Sequence, residues 1–185
     1  MSEVVFFLEE PSARAMLEGF LPKILSEVIN CRFIVFEGKQ DLEKQMVKRM
    51  RGYRVPGARF VVLRDKDSED CRRVKARLVE KCTEAKKPDA LVRVACYELE
   101  SWYLGDLSAV EIGLGITGLS RHQNKTPYDK PDDLAAPVQK LQSIAPAYQK
   151  IGGSRAIGPH LDPANNRSHS FGVFVSGIRK LTAKR

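Results

Sequence analysis

The chain has 185 residues, a formal net charge of +8 and a pI near 9.4, which is enough length for one domain with its own apolar core. No apolar run approaches the roughly 18 residues that a bilayer crossing needs, so a transmembrane role is not expected. The basic balance favours phosphate polymers as partners, although surplus lysine and arginine also serve solubility alone. Four cysteines, at 31, 71, 82 and 96, show no C-x-x-C spacing, and Met1 leads into an apolar run with no secretory leader. They are expected as reduced thiols in a cytoplasmic protein rather than as a zinc site. Cys71 and Cys82 are expected to share the inner face of one helix.

Taken in order, Val4 to Leu8 (VVFFL) is a short, continuous apolar run that fits a central strand covered on both faces. Glu9-Glu10-Pro11-Ser12 ends it, with Ser12 as the expected cap of a helix whose stripe is Ala15, Met16, Phe20, Leu21, Leu25 and Val28, tightened at Pro22. Arg32 to Phe36 reads as a second strand, followed by Glu37-Gly38-Lys39-Gln40. Asp41 is the expected cap of a second helix that turns Leu42, Met46, Val47 and Met50 inward. Phe60 to Arg64 reads as a third strand that stops at Asp65-Lys66-Asp67. A charged helix from about Ser68 to Ala85 then carries Val74, Leu78 and Val79 inward. Leu91 to Ala95 is a fourth strand, leading to Tyr97-Glu98-Leu99-Glu100-Ser101-Trp102.

Four alternations of strand and helix with short links predict an α/β fold: a Rossmann-like, mostly parallel four-stranded sheet flanked by helices. Residues 1–107 form that core. Residues 108–185 form a loop and helical extension packed on it as part of one globular unit, with a helix over Asp133 to Ile144, a loop over Gly152 to Arg167, and a last helix capped by Ser170.

Every strand is followed at once by acid: Glu9 and Glu10, then Glu37, then Asp65 and Asp67, then Glu98 and Glu100. In a parallel sheet these ends share one edge, where ligands of open α/β sheets bind. Carboxylates gathered there repel one another unless a hard cation such as Mg²⁺ neutralises them. A single junction of this kind is also an ordinary turn or helix cap. Lys39 beside the edge, and Arg64 or Lys66, are candidates to stabilise a phosphate. Lys48, Arg51 and Arg54, with Tyr53 nearby, are candidates to track a nucleic-acid backbone, and equally a solvated helix face. Gly113-x-Gly115-x-x-Gly118 matches a dinucleotide fingerprint by letter only, since no strand precedes it.

The segments FFLEEPSA, VVLRDKDSED and ACYELESWYLGD resemble the three acidic motifs of TOPRIM-type domains, the metal-binding module of topoisomerases, primases and overcoming-lysogenization-defect nucleases. Over nearly its whole length, including His160-Leu161-Asp162-Pro163 and Asn166-Arg167-Ser168, the chain is similar to the TOPRIM-like DUF4276 family. That resemblance implies Glu9 as the glutamate after the first strand, Asp65 and Asp67 as the Asp-x-Asp pair, and Glu100, with Glu98, as the third acidic group. It implies Mg²⁺ or Mn²⁺ as cofactor, with Glu9, Asp65 and Asp67 catalytic and Glu98 and Glu100 as further ligands; Lys39 joins the catalytic candidates from its place beside the edge, not from the resemblance. The activity expected from it is metal-dependent hydrolysis of nucleic acid, DNA or RNA, as the effector of an abortive-infection phage-defence system with an ATPase encoded nearby. The alternative is a non-catalytic metal- or nucleic-acid-binding subunit of such an ATPase complex.

Overall fold

The computed structural model describes residues 2–183. Strands β1 (Ser2–Leu8), β2 (Ile29–Val35), β3 (Arg59–Asp65) and β4 (Leu91–Ala95) form one sheet in the order β2-β1-β3-β4. Every pairing is parallel, with Leu8 opposite both Val35 and Leu63, and Asp65 opposite Ala95. Val4 through Leu8 have no exposed surface at all, as a strand with apolar residues at every position requires. Val4, Phe6 and Leu8 face one layer while Val5 and Phe7 face the other.

Helices α1 (Pro11–Phe20), α2 (Lys39–Gly52) and α3 (Cys71–Glu84) make the crossovers. Leu42, Met46 and Met50 of α2 and Val74, Leu78 and Cys82 of α3 close the Val5/Phe7 side. The other side is covered by α1 and by the five helices that follow β4: α4 (Glu100–Leu104), α5 (Leu107–Leu114), α6 (Pro137–Ile144), α7 (Lys150–Ile157) and α8 (His169–Ala183). Trp102, Tyr103, Phe171, Phe174 and Ile178 are buried there with Phe6 and Leu8 in one cluster. Gly158 sits where a Cβ would lie 2.5 Å from the Met16 carbonyl oxygen, so the 150s segment packs backbone against backbone on α1.

Several local expectations need correction. Pro11 occupies the first turn of α1 and Glu10 precedes the helix, so Ser12 does not cap it; its hydroxyl donates to Glu10 Oε2 at 3.2 Å. α1 stops at Phe20 and tightens into a 3-10 turn at Leu21–Lys23, leaving Val28 66% exposed. α2 begins at Lys39, which puts Asp41 in its first turn, where it accepts the Glu37 amide at 3.1 Å. α3 starts only at Cys71, capped by Asp70 accepting from the Arg72 and Arg73 amides. Cys71 is therefore exposed while Cys82 is buried, and Val79 faces out at 39%. The stretch expected as a loop from Gly152 is helical as far as Ile157, as the greater part of α7, and α8 is capped by Ser168, whose hydroxyl accepts the Phe171 amide at 3.1 Å.

Candidate metal and phosphate site

The connection from β1 runs to β2 and that from β3 runs to β4, so the chain reverses direction between β1 and β3. Such a reversal opens a crevice at the carboxyl ends of the strands. Glu9 leaves β1 and Asp65 ends β3 on either side of it, and the Asp65 amide donates to Glu9 Oε2 at 3.1 Å. Glu9 is only 8% exposed. Burial, with the charges of Asp67 and Glu10, outweighs the Asp65 amide and Arg64 and raises its pKa to about 7.

Asp65 is surrounded by like charge. Burial first, then Glu100, Glu9 and Glu10, push its carboxyl well above the usual range, against one opposing bond from the Leu99 amide. Glu100, 1% exposed, rises through burial. Its Oε1 accepts the Tyr148 hydroxyl at 2.8 Å, while its Oε2 is buried with no partner. Two cations reach the edge. Lys39 Nζ lies 2.7 Å from Asp67 Oδ2, and Lys150 Nζ lies 3.2 Å from Glu10 Oε2. Burial pulls the Lys150 ammonium down, but Glu100, Glu10 and Asp65 together leave its pKa raised.

Asp67 adopts a left-handed backbone, φ 53°, as does Tyr97, φ 57°, and the Asp67 amide donates to the Tyr97 carbonyl at 2.8 Å. Strain of this kind costs on the order of 1–3 kcal/mol per residue. Here it clamps the loop after β3 to the loop after β4, so that Asp67 turns toward Lys39. Lys66 turns away from the carboxylates, with its ammonium 3.6 Å from the centre of the Tyr97 ring. Glu98, half-buried, accepts the Val138 amide at 3.4 Å.

Arg64 is not available to nucleic acid. Its side chain has no exposed surface, and its guanidinium is held by Glu43 of α2 and Glu69 of the β3–α3 loop, which Arg77 also bridges at 2.9–3.0 Å. Its Nε has no hydrogen-bond partner but lies within ion-pair range of Glu9 Oε2, at 3.8 Å. Lys48, Arg51 and Arg54 are also not part of this edge. α2 starts at the edge and runs back along the sheet, so its last residues lie about 20 Å away at 1.5 Å per residue. Lys150 and Tyr148 were not expected at the site. They sit beyond the last strand, in and just before a helix that the sequence pattern did not reveal. Among the described residues no group of three or more His, Cys, Asp or Glu stands in metal-holding geometry, so a shared ion requires these carboxylates to turn toward it.

Fold and edge together define an α/β domain, a four-stranded parallel sheet flanked by helices, with an acidic crevice at the switch between its central strands. The family model described as "Domain of unknown function (DUF4276)" matches residues 8–179, and the chain belongs to that family. Among solved structures, the fold is similar to the C-terminal region of the Burkholderia pseudomallei OLD protein. The match covers 96% of this chain and 97% of that one, at 17% identity and a TM-score of 0.54. No curated protein matches the chain. No helix among the described residues is long and apolar enough to cross a membrane.

Proposed function

We propose that the acidic edge takes Mg²⁺ or Mn²⁺ and that the protein is a TOPRIM-like nuclease, hydrolysing phosphodiester bonds of nucleic acid. The observation that carries this reading is the set of under-neutralised carboxylates. Glu9, Asp65 and Glu100 are all raised in pKa, and Glu100 Oε2 is buried without a partner. The donors are all hard oxygens, the chemistry Mg²⁺ prefers, so the residues fit the ion. Asp65, Glu9 and Glu100 would hold it, with Asp67 and Glu98 at the margin. Bound there, the ion would supply Lewis-acid stabilisation of phosphoryl charge.

The chain's own groups divide the remaining work. Glu9, with a pKa of about 7 in the metal-free protein, can accept a proton near neutral pH where it is not itself held by the ion. Lys150 and Lys39 bring positive charge to the two ends of the crevice, where each can exchange its carboxylate for a phosphate oxygen. Strained backbone at Asp67 and Tyr97 fixes the loops in advance. On this reading the effector role in ATPase-coupled phage defence, with the ATPase encoded nearby, is the cellular setting we propose.

A second reading, a non-catalytic metal- or nucleic-acid-binding subunit of an ATPase complex, is favoured by the two lysines already paired with Asp67 and Glu10. Titration calorimetry with Mn²⁺ and a nicking assay on the full chain separate the two. Wild type should bind Mn²⁺ and cut, and Asp65→Asn should lose both. Binding without cutting would select the second reading, and no Mn²⁺ heat at all would reject the site.

A further inference from the structure

We propose that the edge of the sheet opposite the acidic crevice is a binding site for the phosphate backbone of a nucleic acid, built on Lys86, Lys87, Arg51 and Arg59. Two adjoining cavities open there, of about 630 Å³ and 570 Å³, and both are lined by Lys86 and Lys87. Arg59 lines the larger and Arg51 the smaller, and Asp89 is the one carboxylate among the lining residues. Lys86 and Lys87, in a recess rather than on a convex face and with Arg51 and Arg59 beside them, concentrate positive potential where a strand of phosphates can lie.

Capping does not account for the two lysines. Lysine near a helix C-terminus ordinarily compensates the free carbonyls and the dipole there. At the end of α3 neither ammonium is needed for this: the Lys86 amide donates to the Thr83 carbonyl and the Lys87 amide to the Cys82 carbonyl, both at 2.9 Å, and the Arg51 guanidinium takes the Glu84 carbonyl. Lys86 also holds the left-handed turn position, φ 62°, where glycine is the unstrained choice. A side chain kept in a strained position, exposed at the mouth of a cavity and making no ion pair among the described residues, points to a ligand outside the protein. Lys87 is braced beside it, its ammonium 5.1 Å from the centre of the Phe60 ring. The arginines are pre-set: Arg51 Nη2 donates to the Glu84 carbonyl at 2.8 Å, and Arg59 donates to the Leu181 carbonyl. Glu84 Oε1, 3.5 Å from Arg51, offsets part of that charge. The site extends the Arg51 end of α2 to residues that no charge run in the sequence singled out.

The site is independent of the hydrolytic proposal and is tested without metal. Full-length protein is titrated in EDTA against a fluorescently labelled single-stranded oligonucleotide at several salt concentrations. Counterion release contributes a slope of about −0.7 per phosphate contact on single strands. Losing two contacts in Lys86→Gln/Lys87→Gln should flatten the slope by about 1.4 and weaken binding about 25-fold at 0.1 M salt. Lys86→Gly keeps the result free of folding damage: it removes the strain, so the melting temperature should rise while affinity falls about fivefold. Unchanged affinity and slope in the double variant would overturn the proposal. So would inorganic phosphate competing as well as the oligonucleotide, which would mark a small-anion pocket. Loss of self-association alone would instead mark the acidic edge of a second copy as the occupant.

Discussion

Replacing Glu9 by glutamine should make the metal-free protein more stable by an amount that grows as pH rises from 4.5 to about 7 and levels off above it. Glu9 titrates near pH 4.5 when unfolded and at about 7 when folded. A carboxylate raised by folding contributes stability that is fully present below pH 4.5 and lost as pH rises through 7. At 1.36 kcal/mol per unit, a shift of roughly 2.5 units amounts to about 3 kcal/mol withheld at pH 8. Glutamine keeps an oxygen for the Asp65 amide, 3.1 Å away, and carries no charge to bury. At pH 8 in EDTA, Glu9→Gln should therefore gain up to about 3 kcal/mol, or roughly 6–12 °C in Tm for a chain of this size. At pH 4.5 the gain should vanish. Urea unfolding followed by circular dichroism at the two pH values checks this. An equal gain at both, or none at pH 8, would refute the idea that the site buries an under-neutralised carboxylate.

Arg64→Met removes the centre of the buried network and leaves Glu43 and Glu69 to Arg77 alone. It should cost about 3 kcal/mol in urea unfolding, and a loss below about 1 kcal/mol would mean the network adds little. Gly158→Ala, whose Cβ would meet the Met16 carbonyl at 2.5 Å, should cost about 1–3 kcal/mol. Gly152→Ala in α7, with nothing within 4 Å, should gain about 0.5–1 kcal/mol, and thermal melts of the pair test the packing of α7 on α1.

The strands were legible because fully covered parallel strands must be apolar at successive positions, and VVFFL, RFIVF, FVVL and LVRVA are the runs that became β1 to β4. Helix starts were less so: Pro11 and Lys39 begin helices whose N-cap residues, Glu10 and Gly38, make no side-chain cap, and α3 waits for Asp70 instead of starting near Ser68. α7 was hidden by Gly152 and Gly153, poor helix formers by propensity. Gly153 lies so close to the Tyr148 ring that a Cβ would come within 2.3 Å. The glycine that argued against a helix is what lets this one pack, and only the tertiary arrangement reveals it. Arg64 was readable in principle. Alternation along β3 puts it on the side of Phe60 and Val62, beneath α2 and α3, a place for an internal ion pair rather than for a ligand.

The contrast between two groups of acids at one edge bears most on function. Glu43 and Glu69 are bound by Arg64 and Arg77, and Glu69 is lowered in pKa by them. Within the same crevice region Glu9 has the Asp65 amide at 3.1 Å and, as its nearest cation, the Arg64 Nε at 3.8 Å; Asp65 has backbone amide support, and one Glu100 oxygen has nothing. A chain with a net charge of +8 is not short of cations to pair them. An arginine-rich network placed beside carboxylates left raised in pKa is therefore a distribution of charge rather than a deficit. The paired acids hold α2 and the β3–α3 loop to the sheet. The unpaired ones carry an electrostatic cost that a divalent ion would relieve, which is why loss of Mn²⁺ binding in Asp65→Asn is the more telling measurement, ahead of loss of cleavage.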